Sequence, residues 1–157
     1  MRKIQFQFLI VLLACLFSLG CSKNKTCQSS FGAYIKGHVH LKFCGENIEM
    51  HVTDGNSTTS VFALDAGMTN NKIRIHVEVV TNGAPEMREY KIPQEGMATL
   101  SVESELGTEI YSENPTGKIK IVKLTSTKMY GFFYFEANCF QNPQKKIKSK
   151  GWFKFPE

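Results

Sequence analysis

Two histidines in the pattern His38-x-His40 are the side chains whose spacing most directly suggests chemistry. Residues two apart on a strand share a face, so both imidazoles would point the same way, as the ligands of a zinc ion do. His51 and His76 fall on the outward faces of two further predicted strands. Either of them could complete a three-histidine site, which would make the protein a metal-dependent hydrolase.

The charges around this pair argue against a metal. Lys36 and Lys42 flank the histidines on the same predicted face and would repel a cation. The strand offers no carboxylate as a ligand or as a partner for an imidazole. We therefore expect solvent-exposed histidines, with no metal and no other cofactor. Because the Gly-x-Ser-x-Gly motif of many serine hydrolases is also missing, we expect no catalytic residue and no enzymatic activity.

A second set of side chains alternates along the last predicted strand: Lys146, Lys148, Lys150, Trp152 and Lys154. Spacing by two places them on one face. A tryptophan among lysines can stack on a ring while the ammonium groups attract negative charge. The pattern suits an acidic glycan, a lipid headgroup or another envelope protein. The alternative, which the sequence favours, is an edge strand whose lysines prevent edge-to-edge aggregation.

Alternating apolar and polar residues place these side chains on strands. Tyr34 to Phe43 is predicted as one half-buried strand, and Ile73 to Val80 is the clearest strand of all. Met129 to Phe140 is apolar on both faces, which predicts a central strand covered on both sides. Asn114 to Gly117 is predicted as a loop, and the phase of the next strand slips at Val122, which predicts a bulge.

The fold class follows from these short strands and the turns between them. After Cys21 no convincing helical periodicity is found, and Gly, Asn and Pro punctuate the apolar runs, as at Asn70-Asn71. We predict an all-β antiparallel sandwich or a partly open barrel. The aromatic residues from Phe132 to Phe135 are expected in the core. In a barrel they could instead line a cavity, so a carrier of a small apolar ligand is an alternative function.

The N-terminus has the pattern of a secretory signal. Arg2 and Lys3 precede a mostly apolar run from Ile4 to Leu19, which Gly20 and Cys21 close. A cysteine after a small residue resembles the cleavage site of bacterial lipoproteins, with Cys21 as the lipidated first residue. The run is short for a membrane-spanning helix.

This signal implies a cellular location and a domain organisation. We expect a signal peptide at residues 1–20, a tether at 21–33 beginning with the lipidated cysteine, and one β-rich domain at 34–157. Cys15 is an alternative lipidation site, which would shorten the apolar region. Ser22 follows the favoured site, a residue typical of lipoproteins sent to the outer membrane, and the tether lacks acidic residues. We therefore expect a lipid-anchored protein of the cell envelope on the periplasmic face of the outer membrane.

The net charge and the cysteines argue against one class of ligand and indicate which disulfides can form. The formal charge of +5 falls to +3 once Arg2 and Lys3 are removed, which is too small to indicate nucleic-acid binding. In an oxidising compartment, disulfides are expected. Cys44 and Cys139 each close a strong strand, and we favour this pair. Pairing of Cys27 with Cys44 is the alternative.

The last third of the chain resembles a family. Gly117-Lys118-Ile119-Lys120-Ile121, then Tyr130 to Ala137, then Lys150-Gly151-Trp152-Phe153 are similar to motifs of small β-rich lipoproteins of unknown function from Bacteroidota. The resemblance covers roughly residues 117–155. It implies a β fold and an envelope location, and it carries no catalytic residue over to this chain. We expect a non-enzymatic binding or interaction protein.

Overall fold

The computed structural model describes residue 27 and residues 29–55, 59–125 and 128–155. The predictions for the signal peptide and for Cys21 lie outside these residues. Among the described residues, none belongs to a helix long and apolar enough to cross a bilayer. The strands are β1 (Phe31–Gly37), β2 (Leu41–Cys44), β3 (Asn47–Gly55), β4 (Thr59–Met68), β5 (Ile73–Thr81), β6 (Glu89–Ile92), β7 (Gly96–Ser104), β8 (Gly107–Leu124), β9 (Met129–Cys139) and β10 (Lys146–Phe155).

These strands form one antiparallel sheet. The order is β2-β1-β10-β9-β8-β7-β5-β4-β3, and β6 pairs with β8 beside this path. The sheet curls into a half-barrel, so the predicted all-β antiparallel class is confirmed. The first and last of these strands are neighbours, with Phe31 opposite Phe153. β1 thus begins inside the segment that the sequence assigns to the tether.

Alternation along the strands builds the core. In β5 the side chains of Ile75, Val77 and Val79 are fully buried, as the sequence predicts. The ring of Phe62 on β4 lies 6.4 Å from that of Phe153 on β10, although these strands are not neighbours in the sheet. Contacts between rings at such distances contribute about 0.5–1.5 kcal/mol beyond the burial of their area. At these positions the interior is filled by side chains of the protein itself.

The predicted strand from Tyr34 to Phe43 is wrong, because the structure divides it into the hairpin β1–β2. Gly37 takes a φ of 116°, a left-handed conformation that a residue without Cβ adopts at little cost. His38 and His40 therefore lie in the connection and not on a strand face. The alternation of side chains continues through the turn, and for this reason the sequence reads as one strand.

The predicted loop from Asn114 to Gly117 is also wrong, since these residues lie inside the long strand β8. The pairing of β8 with β9 shifts register there, and Asn114 has a φ of 47°. The turn-forming residues thus make a bulge and do not end the strand. A further register shift between Ile121 and Lys123 confirms the bulge predicted at Val122. The hairpin tip predicted at Asn70-Asn71 is confirmed by positive φ angles at both residues.

The cysteine pairing differs from the favoured prediction. The structure joins Cys27 to Cys44, the pairing that the sequence leaves as the alternative. Cys139 is buried as a free thiol, and its Sγ lies 3.1 Å from Oε1 of Gln141. The favoured pair of Cys44 with Cys139 fails because β2 and β9 are separated in the sheet by β1 and β10.

Candidate functional site

The row of lysines predicted on the last strand lies in the interior of the sheet. β10 is hydrogen-bonded to β1 on one side and to β9 on the other. Lys146, Lys148, Lys150 and Lys154 are exposed on its outward face, and Trp152 is half-buried among them. The edge-protection alternative is therefore wrong, because these lysines lie on a strand that has no free edge.

Cross-strand pairing places aromatic rings between the lysines. One row across five strands reads Lys42, Tyr34, Lys150, Tyr134 and Lys118. Directly opposite residues on one face lie about 4.5–5.5 Å apart at Cβ, so each ring is flanked by two ammonium-bearing side chains. The Nζ atom of Lys42 lies 5.9 Å from the centre of the Tyr34 ring. The row alternates positive charge with exposed or half-buried aromatic surface.

The next row contains the tryptophan. Trp152 is opposite Gly32 on β1 and Phe132 on β9, and Lys120 continues the row on β8. A Cβ atom at Gly32 would come within 2.3 Å of the indole Cζ2, so the indole lies directly over the glycine. Phe132 leaves 43% of its surface exposed, and its ring centre is 5.0 Å from that of Tyr130.

We call this surface the aromatic–lysine face. It consists of outward side chains of β1, β2, β8, β9 and β10: Tyr34, Lys42, Lys118, Lys120, Tyr130, Phe132, Tyr134, Lys150, Trp152 and Lys154. Three of the predicted ligand-face residues (Lys150, Trp152 and Lys154) belong to it. Tyr130, Phe132 and Tyr134 show that the second face of β9 is solvent-accessible, so the prediction of a strand covered on both sides is wrong.

Most lysines of this face are free of carboxylates. Among the described residues, no carboxylate oxygen lies within 4.0 Å of the ammonium group of Lys120, Lys150 or Lys154. Lys118 differs from these three, because its Nζ lies 2.9 Å from Glu89 of β6. Charges that the fold does not neutralise remain available to a ligand.

Glu136 of β9 lies next to Tyr134 of the face. Lys148 donates a hydrogen bond of 2.8 Å to its Oε1, and the hydroxyl of Tyr134 donates to the same oxygen. The Lys148 ammonium, and then the Tyr134 hydroxyl, hold the pKa of Glu136 below its usual value. The same contact raises the pKa of Tyr134. Glu136 therefore stays ionised at neutral pH. It forms an ion pair with Lys148, whose ammonium group would otherwise be free to bind a ligand.

A groove opens beside the aromatic–lysine face. Its volume is about 460 Å³, within the range of small-molecule sites in proteins. Its lining residues come from β1, β8, β9 and β10: Lys36, Gly37, Asn114, Thr116, Glu136, Ala137, Asn138, Lys146, Ile147 and Lys148. The two remaining predicted ligand-face residues, Lys146 and Lys148, lie here.

The histidines are divided between two parts of the molecule. His38 is exposed, and its Nε2 lies 3.9 Å from Glu109. His51 on β3 and His76 on β5 lie at the far end of the sheet order from β1. The predicted three-histidine site is therefore not assembled. Within the described residues, no group of three or more His, Cys, Asp or Glu side chains is arranged to hold a metal ion.

His51 and His76 instead belong to a second outward surface, which we call the acid–histidine face. Its members are Glu49 and His51 on β3, Asp65 on β4, and His76 and Glu78 on β5. Nδ1 of His76 lies 3.0 Å from Asp65, and its Nε2 lies 3.4 Å from Glu78. Nε2 of His51 lies 3.4 Å from Glu49. Each carboxylate of this face has a histidine neighbour.

Sequence reasoning found the lysines of β10 but missed most of the aromatic–lysine face. The alternation within Met129 to Phe140 separates Tyr130, Phe132 and Tyr134 from the core residues, and this signal was present in the sequence. Assembly of Tyr34 and Lys118 with them requires the pairing of β1 with β10 and of β8 with β9. No local pattern reveals such pairing.

Comparison of this chain with protein-family models, with curated proteins and with solved structures found no match. The resemblance of residues 117–155 to Bacteroidota lipoproteins remains a prediction from the sequence.

Proposed function

We propose that this protein is a non-enzymatic envelope lipoprotein that binds an anionic glycan through its aromatic–lysine face. The observation that carries the proposal is the row in which Lys42, Tyr34, Lys150, Tyr134 and Lys118 alternate across neighbouring strands. A chain of sugar rings bearing negative groups presents the complementary alternation of flat surface and charge.

Ring stacking supplies the first part of the interaction. Tyr34 is 52% exposed and Phe132 is 43% exposed, so both present ring surface to solvent. Aromatic rings on an open sheet stack on flat ligands at about 1–3 kcal/mol per ring, as measured for bases on such platforms. Trp152 adds a larger surface whose position over Gly32 is set before a ligand arrives.

Charge supplies the second part. Lys120, Lys150 and Lys154 surround the rings without a carboxylate partner among the described residues. Ammonium groups so placed attract an anion over a distance of about a Debye length, roughly 8 Å at physiological salt. Binding is therefore expected to weaken as salt is added.

Fluorescence of Trp152, the single tryptophan of the sequence, provides a direct test. Dextran sulfate is titrated into the full-length protein, with neutral dextran of the same length as the control ligand. We expect dextran sulfate to change the emission saturably and neutral dextran to have at least 10-fold weaker affinity. Equal responses to both polymers, or none to either, would refute the proposal.

Two variants locate the site in the same titration. Phe132→Ala and Lys150→Ala each remove one exposed side chain of the face, and we expect each to weaken dextran sulfate binding about 5- to 10-fold. Lys72→Ala is the matched control, since Lys72 is an exposed lysine in the turn between β4 and β5. Equal losses in all three variants would show that total charge, and not this face, determines binding.

The lipid anchor is a separate part of the proposal. It is supported by the apolar run that precedes Cys21 and by the small residue Gly20 before it. A bacterial acyl anchor adds about 0.8 kcal/mol for each CH₂ buried in the bilayer. Mass spectrometry of the purified protein is expected to find an acylated N-terminal Cys21. An intact Met1 or an unmodified Cys21 would contradict this part and leave the binding face untouched.

A further inference from the structure

We propose that the groove beside the aromatic–lysine face holds a tetrahedral oxyanion, a phosphate or sulfate ester of the bound glycan. The inference rests on the proposed function and names its ligand class: a phosphorylated or sulfated saccharide, as opposed to one that carries only carboxylates. Its geometric basis is a groove of about 460 Å³ in which Lys36, Lys146 and Lys148 meet polar side chains of β8 and β9.

The bulge in β8 builds one wall of the groove. Between Glu113 and Thr116 the strand carries one extra residue relative to β9, and Asn114 takes a left-handed conformation there. The bulge brings Asn114 and Thr116 into the lining, where Asn138 of β9 joins them. An amide or a hydroxyl on this wall can donate hydrogen bonds to an ester oxygen.

The opposite wall concentrates positive charge at a cost to folding. Lys36 on β1 lies directly opposite Lys148 on β10, and like charges in such a position destabilise a sheet. Glu136 pairs with Lys148 at 2.8 Å, and its charge also acts on Lys146 over a longer distance. Among the described residues, neither Lys36 nor Lys146 has a carboxylate within 4.0 Å. An anion in the groove would relieve the repulsion that the fold leaves.

The number of donors in the groove favours a tetrahedral anion. A phosphate or sulfate ester carries three strongly accepting terminal oxygens, whereas a carboxylate carries two. The lining of the groove combines three lysine ammonium groups with two asparagine amides and one threonine hydroxyl. Lysine serves as a point charge in such phosphate sites.

The groove and the face can contact the same ligand. Lys148 lines the groove, and Lys150 belongs to the central row of the face. These lysines are two residues apart on one side of β10, which corresponds to roughly 7 Å. A sugar ring stacked on the face can therefore place its ester group in the groove.

Nuclear magnetic resonance of the full-length protein tests the inference. Backbone amides of Asn114, Thr116 and Asn138 report on the groove, and those of Tyr34 and Lys150 report on the adjacent row of the face. The probes are glucose 6-phosphate, glucuronate, glycerol phosphate and inorganic phosphate at equal ionic strength. We expect glucose 6-phosphate to shift both sets of signals, with an affinity at least 5-fold higher than that of glucuronate.

The other probes distinguish the source of the phosphate. Inorganic phosphate and glycerol phosphate, the latter a mimic of a phospholipid headgroup, should shift the groove amides alone and bind more weakly than the sugar phosphate. Equal affinity for glycerol phosphate and glucose 6-phosphate would overturn the saccharide assignment. Equal affinity for glucuronate and glucose 6-phosphate would overturn the tetrahedral assignment.

Variants separate this inference from the proposed function. The double variant Lys36→Ala/Lys146→Ala should weaken inorganic phosphate binding at least 5-fold, whereas Lys72→Ala should leave it unchanged. If dextran sulfate alters Trp152 emission but no phosphate compound shifts the groove amides, the inference fails and the proposed function stands. If phosphate shifts the groove amides but no glycan reaches Trp152, the proposed function fails, and with it the saccharide assignment.

Discussion

The two outward surfaces of the same curled sheet use their charges in opposite ways. On the acid–histidine face, cross-strand neighbours satisfy each other, as His76 does between Asp65 and Glu78. On the aromatic–lysine face, rings separate the lysines, and Lys120, Lys150 and Lys154 have no carboxylate within 4.0 Å among the described residues. Both faces lie on antiparallel strands with alternating side chains, and the outward residue types differ between them.

This contrast between the two faces favours the aromatic–lysine face as the place where a ligand binds. Side chains that contact a hydrogen-bonding partner on the same face are explained by the fold itself, and exposed pairs of this kind contribute little to stability. Uncompensated like charges reduce stability, so their accumulation on one face points to an external partner. The alternating row of lysine and tyrosine is the strongest instance.

The largest expected effect concerns the disulfide, which ties the segment before β1 to β2 at the border of the aromatic–lysine face. Cys27 and Cys44 are 17 residues apart, and closing a loop of that size stabilises by about 3 kcal/mol in the chain-entropy model. Cys27→Ser/Cys44→Ser should lower the free energy of unfolding in urea by about this amount. Dithiothreitol should destabilise the native protein equally and leave the double variant unchanged. Insensitivity of the native protein to the reductant would exclude the bond.

The next largest effect tests the contrast of charges directly. Lys120→Glu/Lys150→Glu should weaken dextran sulfate binding about 100-fold, or about 2.7 kcal/mol. The matched variant Glu49→Lys/Glu78→Lys reverses charges on the acid–histidine face and should change affinity less than twofold. Isothermal titration calorimetry measures both. Comparable changes in the two variants would mean that overall charge governs binding and that the faces do not differ.

A third prediction concerns the platform under the tryptophan. Gly32→Ala places a methyl group where the indole now lies, so Trp152 must leave the sheet surface. We expect a loss of about 1–3 kcal/mol in stability. Because the Trp152 indole would no longer be held in position over residue 32, dextran sulfate binding should weaken several-fold. Unchanged emission of Trp152 and unchanged affinity would show that the indole contributes nothing through this position.

The smallest effect has the opposite sign. Glu136→Gln removes the carboxylate that occupies Lys148, and we expect dextran sulfate to bind about threefold more tightly, consistent with the small free energies of exposed ion pairs. Calorimetry at low salt measures the gain. Weaker binding by this variant would show that Glu136 helps to hold the ligand.

Acid should reproduce that gain in the native protein. Because the contacts from Lys148 and Tyr134 lower the pKa of Glu136, the carboxylate remains charged until the pH falls below its usual value of 4.5. Sulfate esters stay ionised there, so affinity for dextran sulfate should rise as the pH falls through the depressed pKa. Glu136→Gln should lack this rise. A rise of equal size in the variant would assign it to other carboxylates.

The sequence predicts correctly those elements that depend only on residues close together in the chain. The strand from Ile73 to Val80, the hairpin tip at Asn70-Asn71 and the bulge at Val122 follow from side-chain periodicity and turn chemistry. The predictions are wrong just after Gly37, where a turn replaces the expected strand, and at Asn114 to Gly117, where a bulge replaces the expected loop. The same residue types can form either structure. The outcome there depends on which strands pair.

The candidate site shows the same limit. Five residues of β10 were identified as a ligand face from their spacing, yet the sequence favoured edge protection because nothing local places β1 beside β10. The cysteine pairing failed for the same reason. Distances between segments remote in sequence are set by the order of strands in the sheet, and a single sequence does not contain that order in its local patterns.

The direction of β1 also sets how far apart the two ends of the proposed ligand site lie. Trp152 lies opposite Gly32, near the start of β1, whereas Ile147 in the groove lies opposite Gly37, near its end. Five residues of strand correspond to roughly 17 Å. That offset is about twice the screening length at physiological salt, so the groove and the tryptophan end of the face attract anionic groups independently of each other.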